Sequence, residues 1–140
     1  MKHQTMSFNA LTPRFARTIA AAVTVWAAAV GAAQAQWVPV SFDARGVVYI
    51  NQASIEREGT LRRFWAIEDF KSPDKDGDRS YRILWECDCK ERRLRPLQTE
   101  FYNGPRATGE RTGSRTVEYE WMHASPSSTG EGVLYHVCNR

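Results

Sequence analysis

The amino-acid sequence predicts an α+β domain, an antiparallel sheet of about six strands with one C-terminal helix packed on one face. Several short runs alternate apolar with polar residues and are separated by polar turns, which is typical of antiparallel strands. Near the C-terminus the period changes, and apolar residues recur at helical spacing behind a capping signal. Both the strand pattern and the helix stripe have an apolar side, so we expect the helix to cover the apolar side of the sheet.

The first 35 residues differ from the rest and predict a secretory signal peptide. Lys2, Arg14 and Arg17 precede an apolar run of about sixteen residues, and the segment contains no acidic residue. The run ends in small residues and is short for a membrane span, so we expect cleavage after Ala35 and no stable membrane span in the mature chain. No cysteine follows directly, so no lipid anchor is expected. Translation from Met6 would shorten only this leader.

The predicted mature chain is a single domain, residues 36–140. Cleavage leaves 105 of the 140 residues, enough for one small core. Three of the 19 basic residues and none of the 16 acidic residues lie in the leader, so the mature chain is electrically neutral. The overall pI of about 8.9 therefore gives no reason to expect nucleic-acid binding.

The N-terminal half of the domain predicts three strands and a short helical segment. Residues 37–42 and 47–50 are apolar runs on either side of a turn, and 60–70 is a longer strand-like run. Its imperfect alternation predicts a bulge or a strand that is buried on parts of both faces. Between them, 54–57 is expected to form one helical turn that Gly59 closes.

A polar loop with three aspartates follows, and it does not match a calcium site. Asp74, Asp76 and Asp78 have the spacing of calcium ligands. However, Arg79 stands where the loop glycine is required and Trp85 stands where the distal glutamate is required. We therefore expect a hairpin loop without bound metal.

The segment 79–90 is the clearest predicted strand, because apolar and polar residues alternate along it. Glu86 and Asp88 fall on the outward face and are expected to pair with nearby arginines. The residues that share the inward face are Tyr81, Ile83, Trp85, Cys87 and Cys89.

The remaining sequence predicts two more strands and the helix. Residues 92–102 form a neighbouring strand, 103–114 a Gly-rich loop, and 115–124 the last strand. Ser128 then stands three residues before Glu131, which is the spacing of a capping box. The apolar stripe of the helix that follows consists of Val133, Leu134, Val137 and Cys138.

The three cysteines admit several uses, and disulfide formation is the default in an exported chain. Three sulfurs with His123 or His136 as a fourth ligand could bind zinc, but the C-x-C pair lacks the usual C-x₂₋₄-C spacing. Thiol–disulfide enzymes use a C-x-x-C motif at the start of a helix, whereas this chain has C-x-C on a predicted strand. A bond from strand to helix would close a loop of about fifty residues and stabilise the domain by roughly 4 kcal/mol. The residue pattern favours neither Cys87 nor Cys89 as the partner of Cys138.

Three segments together resemble the surface-adhesin protein E family of Gram-negative bacteria. They are "VVYINQASIEREGTLRRFWAIEDF", "SYRILWECDCKERRLRPLQTEFY" and "WMHASPSSTGEGVLYHVC". The resemblance implies an antiparallel sheet with a C-terminal helix, fixed by a disulfide between Cys89 and Cys138, with Cys87 left as a free thiol. It also implies a binding protein, since the family is named after a lipid-anchored, dimeric adhesin that binds host matrix proteins and plasminogen.

Function is therefore predicted to be non-catalytic binding by an exported domain, with a host matrix protein, another envelope protein or an anionic polymer as partner. The candidate binding residues are Lys90, Arg92, Arg93 and Arg95. Alternation places Arg93 and Arg95 on one face of the strand and Arg92 on the opposite face. Guanidinium groups on a sheet face can bind carboxylate or sulfate groups of a partner. The alternative use of these charges is a solvated face or a protected sheet edge.

A second functional hypothesis is a periplasmic structural or assembly protein, which could form a homodimer. Most of its tryptophans are expected in the core, and an exposed one would mark a partner surface. No phosphate loop, nucleophile motif or metal-ligand pattern is present, so we predict no catalytic residue and no cofactor. The mature protein is expected in the periplasm or secreted.

Overall fold

The computed structural model describes residues 36–116 and 119–139, so the predicted signal peptide, residues 1–35, lies outside the described residues. Within this part, α1 is the one α-helix, and it is neither long nor apolar enough to cross a bilayer. The elements are β1 (Trp37–Phe42), β2 (Gly46–Asn51), β3 (Glu56–Glu58), β4 (Leu61–Phe70), β5 (Ser80–Asp88), β6 (Arg93–Tyr102), β7 (Arg111–Thr116), β8 (Met122–His123) and α1 (Thr129–Cys138).

The strands form one antiparallel sheet whose main order is β1-β2-β4-β5-β6-β7. The short strands β3 and β8 add to β4 and β6 respectively. Helix α1 contacts β1 and β6 across one face of the sheet. The structure thus confirms the predicted antiparallel sheet of six main strands with a C-terminal helix.

The core lies between α1 and the sheet. Val133, Leu134 and Val137 are buried on the inner side of α1, as the helical stripe predicts. Each such side chain contributes about 1.5–3 kcal/mol on burial, which a ten-residue helix needs because it is marginal alone. The buried sheet residues of this core are Val48, Ile50, Phe64, Ala66, Cys87 and Leu94.

The imperfect alternation of β4 reflects burial on both faces. Phe64 and Ala66 are buried under α1, whereas Ile67 is buried on the opposite face. The register between β4 and β5 is continuous, so no bulge accounts for the pattern. The register shifts at other strand pairs instead, and the shift next to β4 lies between β5 and β6, at Leu84 and Trp85.

The predicted helical turn at 54–57 is wrong. A 3-10 turn forms earlier, at Gln52–Ser54, because the Asn51 side chain caps it by accepting from the backbone of Ala53 (3.1 Å). The chain then returns to extended backbone in β3, which pairs with β4. Gly59 has a φ of 56° and allows the tight turn between these two strands.

The predicted last strand, 115–124, is also wrong in its extent. The structure has β7 at Arg111–Thr116, inside the predicted loop, and the two-residue β8 after it. As an outer strand, β7 needs few apolar side chains, so its polar sequence "RTGSRT" resembles a loop. Within the predicted strand, Val117 and Glu118 lie outside the described residues.

A capping box and a disulfide fix α1. The Ser128 hydroxyl accepts from the backbone of Glu131 (3.2 Å), and the Glu131 carboxylate accepts from the backbone of Ser127 (2.6 Å). Cys89, directly after β5, is bonded to Cys138 in the last turn of the helix. This is the pairing that the family resemblance implies, and Cys87 is a free, buried thiol.

We expect Cys87 to be unreactive in the folded protein. Its side chain is fully buried, and burial, followed by the nearby Glu86 charge, raises the pKa of the thiol to about 12. Very little of the reactive thiolate therefore forms at pH 8. Titration with an aromatic disulfide reagent at pH 8 should release about one equivalent of chromophore in urea and almost none without urea. Rapid release from the native protein would contradict this burial.

Candidate binding surface

The face of the sheet turned away from α1 is called the helix-free face, because no α-helix of the described residues covers it. It carries a row of opposite charges across three strands. Strand register places Arg63, Glu86 and Arg95 side by side on β4, β5 and β6. The Glu86 carboxylate accepts from Arg63 Nε at 2.6 Å on one oxygen. Its other oxygen accepts from Arg95 Nη2 at 2.8 Å and Nε at 3.0 Å. One carboxylate therefore orients two guanidinium groups.

Glu86 and Asp88 pair with arginines as the sequence predicts, but both side chains are buried although they face outward. Burial alone would raise the pKa of Glu86, but hydrogen bonds from Arg63 and Arg95 outweigh it and lower that pKa. Burial opposes ionisation of Asp88 too, yet hydrogen bonds from the Glu91 backbone and the Arg93 side chain lower its pKa. Both groups are thus held as carboxylates.

Trp121 lies against two of the arginines. The guanidinium carbons of Arg93 and Arg95 are 4.7 and 4.5 Å from the centre of the indole ring. Arg93 also pairs with Asp88 at 3.2 Å. Each guanidinium is therefore held between an aromatic face and a carboxylate, an arrangement that limits side-chain freedom.

A second arginine–tryptophan pair lies further along the same face. The guanidinium of Arg82 is 4.3 Å from the centre of the Trp65 ring and 3.5 Å from the Glu100 carboxylate. Glu100 also pairs with Arg111 at 3.5 Å and accepts from the Tyr102 hydroxyl at 3.0 Å. The pattern of arginine between aromatic ring and carboxylate thus occurs twice on this face.

The four predicted binding residues do not form one cluster. Arg93 and Arg95 lie together on the helix-free face, as alternation predicts. Arg92 lies in the β5–β6 turn with a φ of 51° and pairs instead with Glu131 of α1 at 3.7 Å. Lys90 is exposed in the same turn. The geometry therefore separates a pair of arginines on the sheet from two charges on a turn.

The prediction that most tryptophans lie in the core is wrong. The four tryptophans of the domain are all only partly buried, and two of them, Trp65 and Trp121, are on the helix-free face. Arginine side chains lie against both of these rings. The two remaining tryptophans are Trp37 and Trp85.

The residues considered for metal binding have other roles. Two of the three sulfurs form the disulfide, and His123 lies on the short strand β8. Asp74 accepts from the backbone of Asp76 and Asp78, each at 2.9 Å, and so shapes the hairpin loop. Across residues 36–116 and 119–139, no group of three or more His, Cys, Asp or Glu side chains is placed to hold a metal ion.

Sequence reasoning missed much of this surface. The sequence pattern does not identify Arg63, Arg82 or Glu100, because their importance depends on which residues face each other across strands. Trp121 was assigned to a strand and not to the arginines it contacts. In the alternating pattern of 79–90, Arg82 has the same outward parity as Glu86. This parity indicates a shared face but does not identify the cross-strand partners.

Comparison with known proteins agrees with this architecture. The family model described as surface-adhesin protein E matches residues 37–139. Crystal form II of Haemophilus influenzae protein E superposes with a TM-score of 0.58 at 18% identity, covering 74% of this chain and 87% of that chain. Protein E from non-typeable Haemophilus influenzae gives 0.54 at 18% identity, with 72% and 75% covered. No match was found among curated protein sequences.

The two structural matches share the fold at low identity, and the family model spans the whole sheet and α1. The described surface offers orienting charges and aromatic faces on that fold. The chain belongs to the surface-adhesin protein E family.

Proposed function

We propose that this chain is an exported, non-catalytic binding domain that holds a protein partner on its helix-free face. The observation that carries the proposal is the pair of arginines on Trp121, pre-oriented by Glu86 and Asp88, in a chain of an adhesin family. A host matrix protein or another envelope protein is the expected class of partner.

The chemistry of the face suits protein recognition. Arginine and tryptophan dominate the residues that contribute most to protein interfaces, because they offer area, hydrogen bonds and little loss of entropy when held rigid. Arg93 and Arg95 remain partly exposed, with 33% and 22% of their side chains accessible. Each keeps N–H donors beyond those its carboxylate uses, so a partner can add carboxylate or carbonyl acceptors.

Export rests on the predicted signal peptide, residues 1–35, and agrees with the surface-adhesin description of the family. We place the mature domain in the periplasm or outside the cell. Fractionation of cells that express the full chain distinguishes these locations. Recovery only in the periplasm would favour the structural or assembly function. Analytical ultracentrifugation of the mature protein tests whether it forms the expected homodimer.

Removing Arg93 and Arg95 is expected to weaken partner binding at least tenfold. The double variant Arg93→Ala/Arg95→Ala loses both stacked guanidinium groups. Binding is measured by surface plasmon resonance of the mature protein over immobilised host matrix glycoproteins, and by salt elution from heparin. The matched control Lys90→Ala/Arg92→Ala removes the same charge from the adjacent turn, and we expect less than a twofold change.

A second variant separates recognition from folding. Trp121→Ala keeps both ion pairs but removes the ring on which the arginines lie, and it should weaken binding about three- to tenfold. Circular dichroism verifies that each variant is folded. Equal losses in the turn and face variants would mean non-specific charge attraction, and unchanged binding in both face variants would exclude this face as the binding surface.

A further inference from the structure

The side of the sheet that carries α1 also has an uncovered part, which forms an open groove. The ten-residue helix leaves the β4–β6 region beyond Trp85 without a covering element among the described residues. Two cavities of about 490 and 280 Å³ occupy this area, and both are lined by Glu68 and Trp85. They therefore meet at these two residues and continue to the edge of α1.

Aromatic rings form the floor of the groove. Tyr81 stands edge-to-face between Phe70, at 4.8 Å, and Phe101, at 5.0 Å between ring centres. The Tyr81 hydroxyl donates to Asp74 of the hairpin loop, which fixes the ring. Ile83 and Trp85 continue the floor toward α1. The result is an apolar surface of packed, partly exposed aromatic rings.

Glu68 lines this groove and forms no ion pair among the described residues. Burial is the main cause that raises the pKa of its carboxyl group, and the charge of Arg45, which also lines the smaller cavity, lowers it only in part. Arg45 pairs with Asp43 at 3.8 Å instead. Among the described residues, no hydrogen bond or ion pair reaches the Glu68 carboxylate. This partly buried acid therefore has no hydrogen-bond or ion-pair partner among the described residues and is open to a partner from the groove.

The other charges of the groove are largely used. Lys75 pairs with Asp76 at 2.9 Å, and Arg115 donates to the Tyr119 hydroxyl at 3.3 Å. Asp78 is buried and accepts from the Thr112 hydroxyl at 2.6 Å, with no cation paired to it in the described part of the chain. The groove thus holds two carboxylates that lack cationic partners.

We propose that this groove is a second binding surface, which takes a basic peptide segment of a partner protein by placing a lysine or arginine side chain against Glu68 and the aromatic floor. The proposal is independent of the helix-free face, because the two surfaces lie on opposite sides of the sheet. A cation there gains both the carboxylate and the aromatic faces in a partly desolvated site.

Charge complementarity favours a basic peptide segment in the groove over an apolar helix or an anionic segment. An apolar helix would bury Glu68 and Asp78 without cationic partners, which is costly. An anionic segment would meet like charges, since Arg45 and Lys75 already pair with Asp43 and Asp76. Glu68 and Asp78, which have no ion pair among the described residues, then outnumber Arg115. A basic segment supplies the charge that the groove lacks, and its aliphatic side-chain stem packs on rings.

Fluorescein-labelled hexalysine is the probe, with hexaglutamate as the peptide of opposite charge. Fluorescence anisotropy at low salt compares the mature protein with Glu68→Gln, which keeps the side-chain shape and removes the charge. The matched control Glu110→Gln removes an exposed carboxylate outside the groove. We expect hexalysine to bind at least fivefold more weakly to Glu68→Gln, with less than a twofold change for Glu110→Gln.

Backbone amide shifts locate the bound peptide. Hexalysine should shift amides of Glu68, Tyr81 and Phe101, while amides of Arg93 and Arg95 stay unchanged. Thermal unfolding is expected to show Glu68→Gln at least as stable as the natural sequence, because an unpaired, partly buried charge is removed. Equal hexalysine affinity for both variants, shifts confined to other surfaces, or binding of hexaglutamate as tight as that of hexalysine would each overturn the proposal.

Discussion

Replacing both Cys89 and Cys138 with serine is expected to lower the free energy of unfolding by about 4 kcal/mol. The bond joins residues 49 apart, and closing a loop of that length removes much of the freedom of the unfolded chain. A domain of this size has a total stability of about 5–15 kcal/mol, so the loss is a large part of it. Urea unfolding at pH 7, followed by tryptophan fluorescence, measures the change.

Cys87→Ala provides the matched control, because it removes one buried sulfur from the same strand and keeps the disulfide. We expect it to cost about 1 kcal/mol, the value of a small cavity. An equal loss in the double variant and in Cys87→Ala would contradict the role assigned to the bond. Reduction of the natural protein by dithiothreitol should reproduce the double variant.

The consequence of losing the bond should be greatest at α1. The helix has ten residues and depends on Val133, Leu134 and Val137 for its contact with the sheet. Hydrogen exchange in the double variant should accelerate most in α1 and in β1, which contacts it, and least in β4 and β5. The disulfide thus acts as a tether for the final element.

The sequence predicts an element correctly where the signal lies in residues that are close together in the chain. Alternation predicts β5, and the Ser128–Glu131 spacing predicts the start of α1, because both depend on neighbouring residues. The predicted position of the helical turn after β2 is wrong, because the Asn51 side chain, and not helix propensity at 54–57, determines where the turn forms. The sequence does not predict β7, because this outer strand is held by backbone pairing with β6. Such a strand does not need apolar side chains, so its sequence is polar.

The candidate site was less accessible from sequence for the same physical reason. Arg93 and Arg95 were found since they are close in the chain and share parity. Their partners Glu86 and Trp121 come from other segments, and only strand register and the path after β7 bring them together. Register is a tertiary property, so a cross-strand network cannot be read from one strand alone.

Glu86→Gln is expected to lower the free energy of unfolding by about 1–2 kcal/mol at pH 7. The substitution keeps the shape but removes the charge that two guanidinium groups share, and it leaves a buried amide with fewer suitable partners. We place the value below that of a fully buried ion pair because 47% of the Arg63 side chain and 22% of the Arg95 side chain are accessible to solvent.

The stability contribution of Glu86 is expected to decrease as the pH falls. Because the pKa of Glu86 is lower in the folded protein, its contribution is fully present above the ordinary glutamate value of 4.5 and is lost as the pH falls through the folded value. Urea unfolding of Glu86→Gln and the natural sequence should therefore differ at pH 7 and converge near the acid limit. A difference that stays constant across this range would show that the cost comes from packing and not from charge.

Glu86 also links stability to recognition. Its side chain is almost inaccessible, so a partner on the helix-free face would touch Arg95 and Trp121 and not the carboxylate itself. If Glu86 acts by holding the arginines in place, Glu86→Gln should weaken partner binding about three- to tenfold while the protein stays folded, and Glu110→Gln should leave binding unchanged. The orientation of the guanidinium groups, more than their charge, would then determine how this face recognises its partner.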